Sequence, residues 1–585
     1  MHSIRSLALS AMASIALLPA AGPAATGDAP TTTPLPAGMV AAAHPLAARA
    51  GARVLCEGGN AVDAAVATAF TLNVVEPHAS GIGGGGFILI YKADTGRVHI
   101  LDYRETAPAA IGPEHYTIDG RTTSTLMRRG GLAVGAPGMV RGLLKAHAEH
   151  GTVPRRRLLE DAIRHADEGV TVSSDLAKHI ENNLDTLLED GTAAAIFLED
   201  GLLPLAEGAV VRQPKLAALL RRVAGEGEAA VYNPEVAGHI AAAVRESSGV
   251  LTARDIMDHR PRERAPLSAT YRGHEIVTIS PPSSGGLTVL LTLSILDRFD
   301  LSGMTPDSPE YLSLLAKAFE AAQRATDRHV ADPDFVDVPV AALLDATTIT
   351  ETARGIAAAL GLDTASTTAP ARPAAAPHRP TTKEPPGNTT HLSVVDAQGN
   401  MVALTQTIND FFGAGVFVPE HGIIMNNELF DFTFSQGGSP NAPQPGKRPR
   451  SSIAPLLVVR DGRPVATLGT PGGRRIPSAL VQILVRCIDF GQPLQQAIDA
   501  PRIHVEHATS RITYETRIAP EVIDATAAIL GRNGTWVFEK KGGMDNYFGG
   551  AQGIWIRDTP DGARLEGAAD PRRNGAVADT LSRAD

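Results

Sequence analysis

Residues 387–409 read G-N-T-T-H-L-S-V-V-D-A-Q-G-N-M-V-A-L-T-Q-T-I-N. Val, Ile, Thr and Leu dominate both halves of this stretch, and the central D-A-Q-G-N consists of residues that favour turns. The pattern predicts a β-hairpin whose first strand begins at Thr389. A turn centred on this motif places Val395 opposite Met401 and Thr389 opposite Thr407, with the final register set by the loop type.

Three polar side chains of the hairpin fall on one face of the predicted sheet. Side chains alternate between the two faces of a strand, so Thr389, Thr407 and Asn409 share a side where the first strand begins. A threonine whose backbone nitrogen becomes a new chain end can use that α-amine as the base that activates its own hydroxyl. The alternative is an ordinary strand end, because threonine is common in strands. On the local sequence alone, that alternative is the more common case.

The segment before the hairpin has a different composition from the rest of the chain. Residues 365–388 contain A-S-T-T-A-P-A-R-P-A-A-A-P-H-R-P-T-T-K-E-P-P-G and are rich in Pro, Ala and Thr. Such a composition favours a flexible, partly extended chain. If the chain is cut before Thr389, a flexible tail can carry the new carboxyl end away from the site.

The N-terminus predicts export. Arg5 precedes the apolar run L-A-L-S-A-M-A-S-I-A-L-L and the small residues P-A-A-G-P-A-A, which are the three parts of a signal peptide that we assign to residues 1–25. The apolar run is too short to cross a membrane comfortably. We therefore expect a mature protein without a membrane span, in the bacterial periplasm or secreted beyond it.

Composition and charge are those of a globular protein. The 585 residues are 43% hydrophobic and 20% charged, which is ordinary for that class. The net charge of −10 comes without a long basic block, which argues against nucleic acid as a partner. The two cysteines, Cys56 and Cys487, lie in apolar, helix-like stretches and are predicted to be buried free thiols. A disulfide between them is the alternative in an exported protein.

The N-terminal region predicts two helices followed by a strand. The first helix runs from about Pro45 to Glu57, and Asn60 caps a second that ends near Val75. Residues 81–86 then read G-I-G-G-G-G and satisfy the dinucleotide fingerprint G-x-G-x-x-G. A helix precedes these glycines and a strand at Phe87 to Tyr91 follows, whereas a dinucleotide loop needs the reverse order. We expect the glycines to permit close backbone approach instead.

Four further motifs carry residues suited to binding a charged substrate or an oxyanion. An arginine fork matches a carboxylate, and successive glycines let two backbone N–H groups approach an oxyanion. Each motif also has a plain structural interpretation, such as a surface salt bridge or a polar strand end. The motifs are L-D-Y-R-E-T-A-P with Arg104, N-N-E-L-F-D-F with Glu428 and Asp431, K-R-P-R-S-S with Ser451 and Ser452, and L-G-T-P-G-G with Gly472 and Gly473.

Together these motifs resemble, in order and spacing, the γ-glutamyltransferases, which are N-terminal-nucleophile hydrolases. The resemblance runs from about Gly38 to Ala578. It implies an α+β fold, a four-layer αββα sandwich shared by two chains cut from one precursor. The large subunit would comprise residues 26–388, with 365–388 as its flexible tail, and the small catalytic subunit residues 389–585.

The resemblance also implies a role for each residue. The chain would be cut between Asn388 and Thr389, after which Thr389 would attack glutathione or another γ-glutamyl compound and pass the glutamyl group to water, an amino acid or a dipeptide. No metal or organic cofactor is implied. In the resembling proteins the equivalent residues divide into Thr407, which orients the nucleophile; Gly472 and Gly473, which hold the oxyanion; Arg104, Ser451 and Ser452, which bind the α-carboxylate; and Asn409, Glu428 and Asp431, which bind the α-ammonium.

Two other functions remain open on the sequence. A glutaryl or cephalosporin-type acylase would keep the fold and change the substrate, and a non-catalytic secreted binding protein would keep the chain intact. The loop at residues 432–446 is shorter than in many members of the family, which predicts an open cleft. A metal site is not predicted, because His504 and His507 would face opposite sides of a strand and His391 has no implied partner.

Overall fold

The computed structural model describes most of the chain. The predicted signal peptide and nearly all of the predicted flexible tail lie outside the described residues. The described residues are 35, 37–118, 121–362, 388–433, 438–531 and 536–581.

Thirteen strands in the described part of the chain form two large antiparallel sheets. In chain order they are β1 (Met39–Ala42), β2 (Gly85–Lys92), β3 (Arg97–Asp102), β4 (Arg262–Arg264), β5 (Leu267–Tyr271), β6 (His274–Thr278), β7 (Thr390–Val395), β8 (Met401–Thr407), β9 (Leu456–Arg460), β10 (Arg463–Gly469), β11 (Gln552–Thr559), β12 (Gly562–Ala569) and β13 (Ala576–Asp579). The first sheet has the order β4-β3-β2-β8-β7-β1-β13, and the second has the order β5-β6-β9-β10-β11-β12.

Helices cover the outer faces of both sheets. The longer ones are α1 (Pro45–Cys56), α2 (Ala61–Val75), α3 (Met139–His150), α4 (Glu160–Glu168), α5 (Ser174–Asn182), α6 (Pro214–Glu226), α7 (Pro234–Glu246), α8 (Gly285–Leu296), α9 (Pro309–His329), α10 (Ala346–Leu360), α11 (Ile476–Ile488) and α12 (Pro520–Gly531). Shorter helices lie at Ser124–Arg128, Arg155–Leu158, Leu184–Leu188, Gly191–Phe197, Ala253–Asp258, Val340–Leu343 and Leu494–Asp499, and a smaller sheet is formed by Ile503–Glu506, Arg511–Glu515 and Val537–Lys541.

The first sheet separates two hydrophobic cores. Leu392 and Val394 on β7 point into the core that contains α1 and α2, whereas Val395 points into the core shared with the second sheet, α8 and α11. This alternation follows from the two-residue period of a strand. The resulting order is helices, sheet, sheet, helices, so the αββα sandwich expected from the sequence is confirmed.

The innermost helix of each outer layer is apolar on every side. All residues of α2 are buried, and α8 is buried except at one position. Further helices pack on them, α1, α3 and α4 on α2, and α9, α10 and α11 on α8. Asn60 and Asp63 form a capping box that fixes the start of α2, where the sequence places it.

The hairpin at the centre of the first sheet has the predicted register. Val395 pairs with Met401 and Ser393 with Ala403, and continuing this ladder brings Thr389 level with Thr407. The strand itself starts at Thr390, one residue later than predicted.

The glycine run before β2 allows two backbones to touch, as predicted. A Cβ atom on Gly83 would lie 2.2 Å from the carbonyl oxygen of Ile424, and one on Gly84 would lie 2.1 Å from that of Thr407. Only glycine fits at these positions, because side-chain carbon atoms do not approach backbone oxygens so closely. The run therefore holds the end of β8 against β2.

The prediction for the cysteines is half wrong. Both residues are free thiols, and Cys487 is buried, but Cys56 is exposed. Cys56 is the last residue of α1 and is followed by the exposed residues Glu57 and Gly58. The apolar stretch before Cys56 packs inward, while the helix end itself reaches the surface.

We expect Gly84→Ala to destabilise the protein. The added methyl group meets a backbone carbonyl that cannot rotate away, and overpacking of this kind costs about 1–3 kcal/mol or more. The measurement is the apparent melting temperature at a fixed scan rate. Gly81→Ala is the matched control, because its Cβ would meet nothing closer than 3.9 Å. Equal melting temperatures for the two variants would contradict this account of the glycine run.

Candidate active site

The peptide between Asn388 and Thr389 is held in a buried corner where β7 begins. Asn388 is 1% exposed and Thr389 is 3% exposed. The side chain of Asn388 is fixed at both ends, because Nδ2 donates to the carbonyl of His78 and Oδ1 accepts from the Thr389 N–H at 2.9 Å. The Asn388 N–H donates to the carbonyl of Asn409 at 3.2 Å.

Two hydroxyl groups converge on the carbonyl oxygen of Asn388. Thr389 Oγ1 donates to it, Thr407 Oγ1 donates at 3.0 Å, and the two hydroxyl oxygens are 3.4 Å apart. Thr407 Oγ1 also accepts from the Asn409 N–H at 2.8 Å. A hydroxyl has one proton and two lone pairs. Thr407 can therefore polarise the carbonyl with its proton and still offer a lone pair to the proton of Thr389.

Arg104 lies at the centre of a buried ionic cluster. It is 1% exposed, with Nη1 2.6 Å from Glu428 Oε2 and Nη2 2.5 Å from Asp431 Oδ2. Nε and Nη2 also donate to the carbonyls of Pro449 and Arg450, at 3.1 Å and 3.0 Å. The guanidinium thus joins the segment after β3 to the 3-10 helix Glu428–Asp431, which contains both acids, and to the loop before β9.

Asn409 connects this ionic cluster to the threonine corner. Its backbone N–H reaches Thr407, and its Nδ2 lies 3.4 Å from Asp431 Oδ1. Its φ angle of 73° is in the left-handed region, which asparagine tolerates better than most residues. The predicted ammonium-binding residues Asn409, Glu428 and Asp431 are therefore neighbours, and they adjoin the predicted nucleophile.

Burial shifts the titration of the acids around Arg104. Glu105 is fully buried, and neither carboxylate oxygen has a hydrogen-bond partner on another described residue. Burial raises the pKa of Glu105 to about 8, although Arg104 opposes the rise. Burial also raises the pKa of Glu428, against the same opposing charge. The single charge of Arg104 therefore faces carboxyl groups that gain protons readily, which limits repulsion among them.

The predicted carboxylate-binding serines follow directly after the carbonyls that hold Arg104. Ser451 is buried, and its hydroxyl accepts from the Ile453 N–H at 3.1 Å, while Ser452 is half-buried. The N–H and the hydroxyl of Ser284 donate to the Ser451 carbonyl at 2.7 Å and 2.8 Å. The loop at residues 281–286, P-P-S-S-G-G, therefore holds the segment that contains Ser451 and Ser452 in place.

The predicted oxyanion glycines lie beyond the end of β10. Gly472 and Gly473 have φ angles of 136° and 56°, which other residues rarely adopt. Gly469, the last residue of β10, packs on the His391 ring, since a Cβ there would lie 2.2 Å from it. His391 is in β7, two residues after Thr389, so the loop with the glycines starts over the same end of the hairpin.

Two residues of this region were missed by the sequence interpretation. Arg573 is buried, and its Nη1 donates to the carbonyl of Thr389 at 3.0 Å. Arg573 lies in the motif D-P-R-R-N-G at residues 570–575, which gives no local sign of a buried arginine. Glu105 stands next to Arg104 in the chain, and nothing in its local sequence distinguishes it from a surface acid.

A cavity of about 590 Å³ opens beside the site. Asp410 and Phe411, which follow Asn409 directly, form part of its lining. Its remaining lining residues include the cations Arg128, Arg129 and Lys178. Arg128 is paired with Asp410 at 2.5 Å, so the other two supply the excess positive charge.

The histidines considered as metal ligands in the sequence contact separate partners. His504 Nδ1 lies 2.8 Å from Ser478 Oγ, and His507 Nδ1 lies 3.4 Å from Asp327 Oδ2. In the part of the chain that the structure describes, no helix has the length and apolar character needed to span a membrane.

Comparison with known proteins gives a consistent result. The family model described as gamma-glutamyltranspeptidase matches residues 47–580. A glutathione hydrolase proenzyme of Bacillus subtilis (strain 168) is 36% identical over 551 residues, which is 92% of this chain and 91% of the relative.

Acylases are also among the similar proteins. The acylase ACY 1 proenzyme of Pseudomonas sp. (strain SE83) is 34% identical and covers 94% of this chain and 95% of its own. The crystal structure of a cephalosporin acylase from Bacillus halodurans superposes with a TM-score of 0.79 at 29% identity, over 94% of this chain and 98% of that one. The match to the family model extends over most of the chain, and the identity to the hydrolase proenzyme holds over nearly its whole length. The chain is therefore an enzyme that belongs to the gamma-glutamyltranspeptidase family.

Proposed function

We propose that this enzyme is an autoprocessing γ-glutamyltransferase and glutathione hydrolase that is cut between Asn388 and Thr389. The observation that carries the proposal is the convergence of the Thr389 and Thr407 hydroxyls on the Asn388 carbonyl. A hydroxyl next to the carbonyl of its own peptide bond is positioned for an N→O acyl shift. The glutathione hydrolase of Bacillus subtilis and the acylase of Pseudomonas sp. described above are both named as proenzymes, which supports the same maturation.

Maturation proceeds in two balanced steps. Thr389 Oγ1 attacks the Asn388 carbonyl carbon, while Thr407 accepts the hydroxyl proton and passes its own proton to the carbonyl oxygen. The C–N bond then breaks, the nitrogen of Thr389 is protonated as a free amine, and Asn388 remains attached as an ester. Water hydrolyses the ester, which yields the carboxylate of Asn388 and the free hydroxyl of Thr389.

Turnover uses the new chain end. The α-amine of Thr389 accepts the proton of its own hydroxyl, and Oγ1 attacks the γ-amide of the donor. The N–H groups of Gly472 and Gly473 stabilise the oxyanion, and the leaving amine departs with the proton. The γ-glutamyl ester then passes to water, or to the amine of an amino acid or dipeptide.

The ionic cluster fits a zwitterionic substrate head. Arg104 and Asp431 already form an ion pair in the absence of substrate. An α-amino acid head brings one negative and one positive charge, so its carboxylate can replace Asp431 at the guanidinium while its ammonium replaces Arg104 at the acids. The charge balance of the buried site is unchanged by this exchange. Ser451 and Ser452 complete the carboxylate side, and Asn409 and Glu428 the ammonium side.

The same charge argument weighs against the acylase alternative. A glutaryl group has a carboxylate and no α-ammonium, so on binding it would separate Asp431 from Arg104 and leave that acid without a cation. Truncating or unpairing one member of a buried charge pair typically costs about 2–5 kcal/mol. Acylases are among the similar proteins, so this alternative is tested below.

The basic cavity beside Asn409 suits the remainder of the donor. The leaving group of glutathione is a dipeptide that ends in a carboxylate, and Arg129 and Lys178 offer cations there. Two hydrogen bonds join the middle of the loop after Asp431 to the residues that flank it. Asn441 Nδ2 donates to the Asp431 carbonyl at 2.7 Å, and Lys447 Nζ donates to the Pro440 carbonyl at 2.6 Å. Both features favour an open acceptor side that water and amines can reach.

The proposal includes the two subunits and export. Residues 1–25 would be removed as a signal peptide, and residues 26–388 and 389–585 would remain together as the large and small subunits. The site of action would be the periplasm or the extracellular medium. A non-catalytic binding protein would instead stay as one chain.

Thr389→Ala should remain a single chain without γ-glutamyl hydrolase activity, because the attacking hydroxyl is missing. Thr389→Ser is the matched control and should mature, since it keeps the hydroxyl. The measurements are a denaturing gel and N-terminal sequencing of the smaller chain, which should begin T-T-H-L-S. A smaller chain with another N-terminus would refute the assigned position.

Asp431→Asn should lower kcat/KM for a γ-glutamyl anilide, while a denaturing gel should still show complete cleavage of the precursor. Asp431 is 32% exposed, so we expect the lower end of the range, about 2 kcal/mol or roughly thirtyfold. The matched substrate is glutaryl anilide, whose turnover should be weak in the wild type and should not fall in the variant. A wild-type preference for the glutaryl substrate would instead identify an acylase.

A further inference from the structure

Two histidine side chains and an aspartate, none of which has a role in the proposed reaction, converge at α5. Asp175 and His179 are four residues apart on α5, so one helix turn brings them to the same face. Asp175 Oδ2 lies 3.5 Å from His78 Nε2, and Asp175 Oδ1 lies 3.4 Å from His179 Nε2. One ligand atom of each residue can be chosen so that all three lie within 4.8 Å of one another.

The distances from Asp175 to the two histidines are longer than those of hydrogen bonds between these groups. A hydrogen bond between a charged imidazole and a carboxylate is typically about 2.7–2.9 Å long. His78 is 2% exposed, and neither ring nitrogen has a hydrogen-bond partner among the described residues. Ligand atoms about 2.0–2.1 Å from a tetrahedral metal ion stand roughly 3.4 Å apart, which is close to the distance from each Asp175 carboxylate oxygen to the histidine nitrogen that it faces.

We propose that His78, Asp175 and His179 bind a divalent transition-metal ion, most suitably Zn²⁺. Two imidazoles and one carboxylate form a donor set that Zn²⁺ and its neighbours in the first transition row accept, with a further position left for water. The Asp175 side chain is 15% exposed, and His179 lines the cavity of about 590 Å³, which together give an ion a path of entry.

The surroundings of the site contain charges of both signs. Glu76 is fully buried and interacts electrostatically with His78, while Arg573 interacts with Asp175 and Glu76. The Phe411 ring stacks on His179 with centroids 3.6 Å apart and restricts the imidazole to one orientation.

A bound ion would connect α5 to the residue that positions the cut. The carbonyl of His78 accepts from Asn388 Nδ2, so the loop that supplies one metal ligand also holds the peptide described above. The ion would act as a structural cross-link, and no step of the proposed reaction passes through it. The inference is independent of the γ-glutamyl chemistry, and its test does not use enzyme activity.

The test measures metal uptake by the untagged mature protein after treatment with a chelator. Isothermal titration with Zn²⁺ should give one ion per chain, Co²⁺ should produce visible absorption bands of a bound ion, and Zn²⁺ should raise the apparent melting temperature. Loss of an outer-shell partner alone weakens metal affinity by about 10–100-fold, so Asp175→Asn and His179→Gln should weaken it at least as much.

His329→Gln, at the end of α9, is the matched control and should bind Zn²⁺ as the wild type does. Asp175→Asn and His179→Gln are checked for folding by their melting temperatures without metal, and either folded variant suffices. If the wild type takes up no stoichiometric Zn²⁺ or Co²⁺, or if a folded variant binds Zn²⁺ with wild-type affinity, the proposed site is wrong.

Discussion

The hydrogen bonds to the carbonyl of Asn388 are the interaction on which the rest of the site depends. They require Thr407 to stand level with Thr389 on neighbouring strands. A shift of one residue between β7 and β8 would turn Thr407 to the opposite face and remove its hydroxyl from the site. The register of one hairpin is thus a chemical requirement, and the glycines that let β2 approach the end of β8 help to enforce it.

The ionic cluster around Arg104 adds a second constraint, which is electrostatic. A guanidinium that is 1% exposed loses nearly all of its hydration, and nearby acids and carbonyl groups must replace it. Glu428 and Asp431 supply that replacement, and burial raises the pKa of Glu105 to about 8. The cluster is therefore organised by the protein's own groups; if it binds the substrate head as proposed, this order lowers the cost of binding.

Local signals in the sequence were sufficient for the elements that position the site. The turn motif and the alternation of residues predicted the hairpin and its register, and the cap at Asn60 predicted the start of α2. Contacts between distant segments were not predictable in this way. Nothing in the sequence near Arg104 indicates that its carboxylate partners come from a segment more than 300 residues later. The sequence around His78 likewise does not indicate that His78 lies against Asp175 of α5. The exposed Cys56 shows the same limit, since apolar neighbours in sequence did not ensure burial at a helix end.

The order of strands in the first sheet has a consequence for the lifetime of the assembled enzyme. If the chain is cut before Thr389, the small chain contributes β7, β8 and β13, and β1 of the large chain lies between β7 and β13. The ladders β2–β8, β7–β1, β1–β13 and β6–β9 would then all join one chain to the other. The two chains could separate only if the hydrogen bonds of all four ladders broke, so dissociation should be extremely slow. Refolding from the separated chains would require one strand to insert between two others, whereas the uncut precursor forms this arrangement within a single molecule. Such a cut would make assembly of the fold effectively irreversible, because the separated chains could not easily regain the structure that the precursor forms.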